Sequence, residues 1–258
     1  MTAVTLDRFC AETTAQTREL VELLGGADLS APVPTCPGWS LADLLRHIGG
    51  NLRTVGTAVR TGRPVDDPAT QVAELDGPSG TGLGALAPWL TEAADAFAAA
   101  VRAAEPAATA TVWGFGDRVD GWARRAAHDI AVHRADAALA IGADYALAPE
   151  LAADAVDELL DMAAAGMFPG LERLAEHGSA LHLHATDTVP ELRAEWLLEF
   201  GAEGFGWRRA HQRADTAVRG PLTELLLVLY RRRPATTDRV EVIGSAPLLD
   251  AWLQRVSL

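Results

Sequence analysis

The sequence predicts an α+β chain in two parts: a helical bundle over residues 1–170 and a smaller α+β domain over residues 171–258. Three observations carry this reading. Apolar residues recur at helical spacing through the long segments before Phe168. Phe168-Pro169-Gly170 then breaks the pattern. Beyond it, Ala180-Leu181-His182-Leu183-His184-Ala185 alternates with the period of two that marks a strand.

The elements follow in order. Leu6, Phe9, Cys10, Thr13 and Thr17, then Leu20, Leu23 and Leu24, describe a helix of about 18 residues that Gly25-Gly26 stops. A turn-rich segment carries Pro32, Pro34 and Pro37. Ser40 is a good N-cap, Asp43 stands at N3 as an acidic variant of the capping box, and Trp39 and Leu44 have the spacing of a hydrophobic staple. Leu41, Leu44, Leu45, Ile48, Leu52, Val55 and Val59 continue as an apolar stripe, so this helix runs to about Gly62. Residues 62–84 read as a polar loop. The next helix spans 83–104, started or kinked by Pro88. Trp113 to Asp120, with Gly114 and Gly116, reads as a loop, and Trp122 to Ile141 as a helix ended by Gly142. Another helical stretch covers Pro149 to Met167. In the second part, residues 195–200, 206–209, 216–218 and 239–243 read as short strands, and 222–232 and 246–255 as helices.

Composition narrows the function classes. The chain has 258 residues, 49% of them apolar, and a formal net charge of −13. Such acidity repels phosphate backbones and anionic membrane surfaces, which argues against nucleic-acid or lipid partners. Lysine is missing and every basic side chain is arginine, a bias expected of GC-rich genomes such as those of actinobacteria. Cys10 and Cys36 are too few and too far apart for a disulfide framework or a CxxC site. The N-terminal residues lack the basic and apolar run of a signal peptide, and the densest apolar run, Leu225 to Tyr230, stops at Arg231. The expected location is the cytoplasm.

The chemistry centres on the segment around Asp129 and His133. Residues four apart on a helix share a face, so these two side chains could converge on one ion, while His128 lies about 140° round the axis from His133. A third ligand must then come from elsewhere. His47 flanks the apolar stripe of its helix beside Leu44, Ile48 and Asn51, facing the kind of helix seam where bundle metal sites are built. Gly49-Gly50 follow, a mid-helix pair that lowers helix stability and suits close approach of a backbone or ligand. On spacing alone, an exposed Asp–His pair is the commoner outcome.

Family resemblance adds to this. Thr35-Cys36-Pro37-Gly38-Trp39-Ser40, then Asp43-Leu44 and His47, resembles the signature of the mycothiol-dependent maleylpyruvate isomerase family. The segment Arg125 to Asp136 is similar to that family's RxxxHExxxHRxDA motif. The tail is similar to its C-terminal domain: Ala217-Val218-Arg219-Gly220-Pro221, Glu224 to Leu227, and Arg231-Arg232-Arg233-Pro234. The resemblance covers nearly the whole chain. It implies a DinB-like four-helix bundle that binds a divalent metal, zinc, through His47, Asp129 and His133. One departure stands out: Asp129 occupies a position where the family usually has Glu, one methylene longer.

The resemblance also implies an enzyme that uses its metal to activate a low-molecular-weight thiol, mycothiol as cosubstrate. The thiol would add to a maleylpyruvate-like cis double bond and isomerise it, or would transfer to a small electrophile. The alternative is a non-catalytic metal- or small-ligand-binding protein of the same fold. Arg53, Arg60 and Arg219, with Arg231 to Arg233, are candidates for binding a carboxylate or the thiol's sugar. Cys36 precedes the His47 helix and could be a thiol near the metal, but is expected to be a small buried residue of its turn. Trp39, Trp113 and Trp122 could line a pocket, with core packing the default for each. His182 and His184 share a strand face at a spacing compatible with a metal, yet no third ligand lies nearby in sequence. They are expected to face solvent.

Overall fold

The computed structural model describes residues 4–105, 107–176, 178–201 and 204–256. These fall into two compact units, Val4–Tyr145 and the residues from Ala146 onward. In the first, four long helices pack as a bundle: α1 (Leu6–Leu23), α2 (Leu41–Thr61), α4 (Leu83–Ala103) and α5 (Val119–Ile141). A short α3 (Pro68–Gln71) lies in the connection between α2 and α4. α1 and α2 each pack against both α4 and α5, so α2 and α5 share a seam.

Local chemistry explains where these helices begin and end. Ser40 Oγ accepts from the Asp43 amide at 3.2 Å, and Asp43 Oδ2 accepts from the Ser40 amide at 2.9 Å, closing the expected capping box. Gly62 and Gly142 end α2 and α5 in the left-handed region, at φ 64° and 69°. Leu44, Leu45 and Ile48 of α2 and Leu86, Leu90 and Phe97 of α4 are buried in the core. Gly49 admits the ring of Trp89, since a Cβ there would lie 2.2 Å from it. The close approach that this glycine serves is thus a packed indole. Pro88 sits inside α4 without ending it.

One expected loop is a hairpin. β1 (Thr109–Val112) pairs antiparallel with β2 (Phe115–Arg118), and Val65 bridges to Val112. The two connecting residues, Trp113 at φ 53° and Gly114 at φ 79°, both have positive φ, as a type I′ turn requires. A tryptophan at the first turn position gave no turn signal in the sequence. No helix among the described residues is long and apolar enough to cross a membrane.

The second unit is a five-stranded sheet with helices. Its strands are β3 (Ala180–Ala185), β4 (Glu195–Gly201), β5 (Gly204–Arg209), β6 (Thr216–Gly220) and β7 (Glu241–Gly244), in the order β5-β4-β3-β6-β7. Only β3 and β6 run parallel. The helices are α6 (Pro149–Ala164), α7 (Leu222–Leu229) and α8 (Ala246–Arg255). The sequence pattern groups 149–167 with the bundle, whereas α6 clusters with the second unit, packing on α7 and β5. The reason is a buried polar knot. Asp157 of α6 pairs with Arg209 of β5 at 2.7 Å and accepts from the indole of Trp196 of β4 at 2.7 Å. The Arg209 guanidinium also lies over the Trp196 ring, 4.9 Å from its centroid.

Candidate metal centre

The α2/α5 seam brings together the three residues singled out from sequence. Donor atoms of His47, Asp129 and His133 all lie within 4.8 Å of one another. The His47 and His133 rings meet edge to face with centroids 5.0 Å apart, and His133 Nε2 is 3.9 Å from Asp129 Oδ1. Trp39 covers both imidazoles, its ring 4.7 Å from His47 and 6.3 Å from His133. It takes the pocket-lining alternative rather than the default of core packing.

A second layer holds the donors in place. His133 Nδ1 lies 2.8 Å from Asp136 Oδ2, and Asp136 is fully buried. Thr35 Oγ1 donates to the other Asp136 oxygen at 2.6 Å, and Cys36 Sγ lies 3.5 Å from Oδ2. With Nδ1–H given to a carboxylate, the Nε2 lone pair of His133 is the one left for a metal, the arrangement common to metal-binding histidines. Cys36 is half-buried and belongs to this layer, rather than merely filling its turn. Asn51, one turn on from His47, donates to His47 Nε2 at 3.0 Å and also hydrogen-bonds Asp129. Arg125 stands 3.8 Å from Asp129.

The three groups are electrostatically coupled. Burial lowers the pKa of His47, helped by the charge of His133 and only partly offset by Asp129. For His133, burial also opposes the charged form. Asp129 and the hydrogen bonds of Asp136 and Cys36 outweigh it and raise the pKa to about 9. Burial pushes the Asp129 carboxyl up, but His133, Arg125, His47 and the Asn51 hydrogen bond bring it below the usual range. Two imidazoles and a carboxylate are a fitting donor set for zinc, and three protein ligands would leave a position open.

A cavity of about 390 Å³ opens beside His47, lined among others by Asp43, Arg46, Asn51, Thr54, Asp76 and Trp113. Trp113, 42% exposed, thus belongs to the cavity wall. Trp122 is half-buried, its indole donating to Ala110 O at 2.9 Å.

The three arginine candidates lie on α2 and β6. Arg53 is held by Glu74 and Glu92, at 3.6 and 3.5 Å, and lies over the Trp89 ring. Arg60 is exposed in the last turn of α2, roughly 20 Å along the axis from His47 at 1.5 Å per residue. Arg219 belongs to β6 of the second unit and lies 3.7 Å from Glu241. Sequence reasoning missed Asp136 as a partner. Its signal was present as a carboxylate three residues after His133, on the same helix face.

Fold and site together define a helical-bundle protein with a histidine–carboxylate cluster that could hold a divalent metal, followed by an α+β domain. Residues 10–138 match the model of the mycothiol maleylpyruvate isomerase N-terminal domain, and residues 150–251 that of the MDMPI C-terminal domain. The chain belongs to the mycothiol maleylpyruvate isomerase family, and is an enzyme of isomerase or transferase type. Its fold is similar to a crystal structure of the mycothiol-dependent maleylpyruvate isomerase, with TM-score 0.59 and 16% identity over 94% of this chain and 95% of that one. A histidine-to-alanine mutant of that isomerase aligns similarly, with TM-score 0.58 and 15% identity over the same shares. No curated protein matches the chain by sequence.

Proposed function

We propose that the chain is a zinc-dependent enzyme that uses mycothiol to isomerise a maleylpyruvate-like cis double bond to trans. The observation that supports this best is the convergence of His47, Asp129 and His133 next to a cavity, with Asp136 orienting His133. Zinc bound there would lower the pKa of a thiol and keep it as thiolate near neutral pH.

The chain's own residues supply the rest. Asp136 fixes the tautomer of His133, and Thr35 and Cys36 fix Asp136. Trp39 shields the imidazoles from water and so strengthens the electrostatics of the site. Arg46, whose guanidinium donates to Asp76 O and to Gly80 O, is the cavity's cationic group and would attract a substrate carboxylate. In the reaction the thiol sulfur adds to one carbon of the conjugated cis double bond. The electron pair moves into the conjugated carbonyl, and rotation follows about the new single bond. Loss of the thiol then restores the double bond as trans, with no net consumption of thiol. Transfer of the same thiol to a small electrophile is the related activity of such a site.

The test uses the purified, untagged protein. Metal analysis with and without His47→Ala, alongside a mycothiol-dependent maleylpyruvate isomerisation assay, addresses metal and reaction together. Expected are zinc at the bundle site and turnover only with thiol, both lost in the variant. Full activity in zinc-free protein would overturn the metal. No turnover of maleylpyruvate, but consumption of thiol by electrophiles, would turn the assignment to an S-transferase.

A further inference from the structure

The second unit gathers four more donor side chains. His182 and His184 lie on one face of β3, and the antiparallel register sets Glu195 of β4 directly opposite His184. His211, just past the end of β5, joins them. The His182, His184 and His211 rings form a near-equilateral triangle, with centroids 6.0, 5.6 and 5.9 Å apart. At its centre, Glu195 Oε2 lies 3.2 Å from His182 Nε2, 3.0 Å from His184 Nδ1 and 2.5 Å from His211 Nδ1.

Hydrogen bonding alone does not satisfy this cluster. One carboxylate oxygen faces three ring nitrogens but has only two lone pairs to offer. The nitrogen left over is His182 Nε2, on a side chain only 9% exposed. It is buried and forms no hydrogen bond, although it points at the centre of the group. An unmet polar atom at such a place is costly unless something else occupies it. In a tetrahedral zinc site with Zn–N of about 2.0–2.1 Å, donors stand about 3.3 Å apart; the His182 and His184 separations are near this, and exposed His211 would draw back from Glu195 to admit the ion. The expectation of solvent-facing strand histidines therefore fails for His182. Its partners are 13 and 29 positions away in sequence and are joined only by strand pairing.

We infer that His182, His184, Glu195 and His211 form a second metal site, one that binds a zinc-type divalent cation with three imidazoles and one carboxylate. Four protein donors close the coordination sphere, so the ion is structural: it clips β3 and β4 to the segment that follows β5. His211, with its side chain 78% exposed, is the ligand through which the ion enters. On the neighbouring strand Arg219, which pairs with His184 in register, is engaged by Glu241.

The experiment is a zinc titration of the untagged full chain, stripped with EDTA, against a chromophoric competitor. Wild type should bind two zinc ions. His211→Ala and His47→Ala should each bind one, and the double variant none. Zinc should raise the melting temperature of the His47→Ala protein and leave that of the double variant unmoved. Cobalt(II) in the His47→Ala protein should give the intense visible bands of a four-coordinate site, lost on Glu195→Gln. His211 is exposed, so its variant folds, and circular dichroism checks this. If wild type binds one zinc that His47→Ala removes and His211→Ala retains, the second site does not exist. If it binds one that only His211→Ala removes, the second site stands and the bundle site falls.

Discussion

Each unit of this protein buries a carboxylate against a cation, and the two pairs have different uses. In the bundle, Asp136 holds His133. In the second unit, Asp157 holds Arg209. Both carboxylates take additional donors, Thr35 in the first case and the Trp196 indole in the second. What differs is the partner. An imidazole can give up its proton and offer a lone pair to a metal, whereas a guanidinium keeps its charge and has no lone pair to give. The Asp136 pair therefore orients a candidate metal donor, and the Asp157 pair locks α6 onto the sheet. The partner's chemistry decides whether a buried ion pair belongs to a site or to the scaffold.

The largest expected effect comes from breaking the scaffold pair. Asp157→Ala removes the counter-charge of a buried guanidinium, which keeps only backbone carbonyls as acceptors, and the acceptor of an indole N–H, and should destabilise the protein by about 3–5 kcal/mol in urea unfolding. Zinc affinity at the bundle cluster should stay unchanged. A loss below about 1 kcal/mol would show that the pair is better hydrated than its 12% side-chain exposures suggest.

Asp136→Ala should act in the opposite sense, weakening zinc binding at the bundle cluster about 10–100-fold in a competition titration. Its effect on unfolding should be smaller than that of Asp157→Ala, because His133 can shed its proton when its partner is gone. Equal destabilisation by the two variants would erase the distinction drawn between them.

The smallest effect concerns two exposed carboxylates, one in each unit, that serve as controls. Asp43 is held below the usual range by the Ser40 hydroxyl and then by the Ser40 amide. Asp215 is held there by the Ser179 amide, the Ser179 hydroxyl and the Ala180 amide. Their stabilisation is present above the unfolded aspartate value of about 3.9 and is lost as pH falls through the lower folded values. Asp43→Asn and Asp215→Asn should each lower the melting temperature slightly at pH 7, with the deficit shrinking as pH falls and the acid limb flattened accordingly. An acid limb identical to wild type in both would remove these two groups from the acid response.

Much of the bundle was legible because its signals are local. The Ser40–Asp43 box, Gly62 and Gly142 mark helix ends through contacts within a few residues of themselves. Asp129 and His133 could be paired by helical spacing. The β1–β2 hairpin was not legible, because Trp113 takes a left-handed conformation that a bulky side chain rarely adopts. Nor was the allegiance of α6, whose apolar face is the same whichever neighbour it meets. Its choice is made by Asp157 finding Trp196 and Arg209, 39 and 52 residues away.

By itself, then, the sequence determined most of the elements and their ends, the family and the donor types at positions 47, 129 and 133, since caps, periodicity and motifs act over short stretches of chain. Only the tertiary structure decided which carboxylate orients His133, that Trp39 roofs the site, where α6 packs, and that His182, His184, Glu195 and His211 meet. Those outcomes depend on helix packing and strand register, which bring together residues that no local pattern connects.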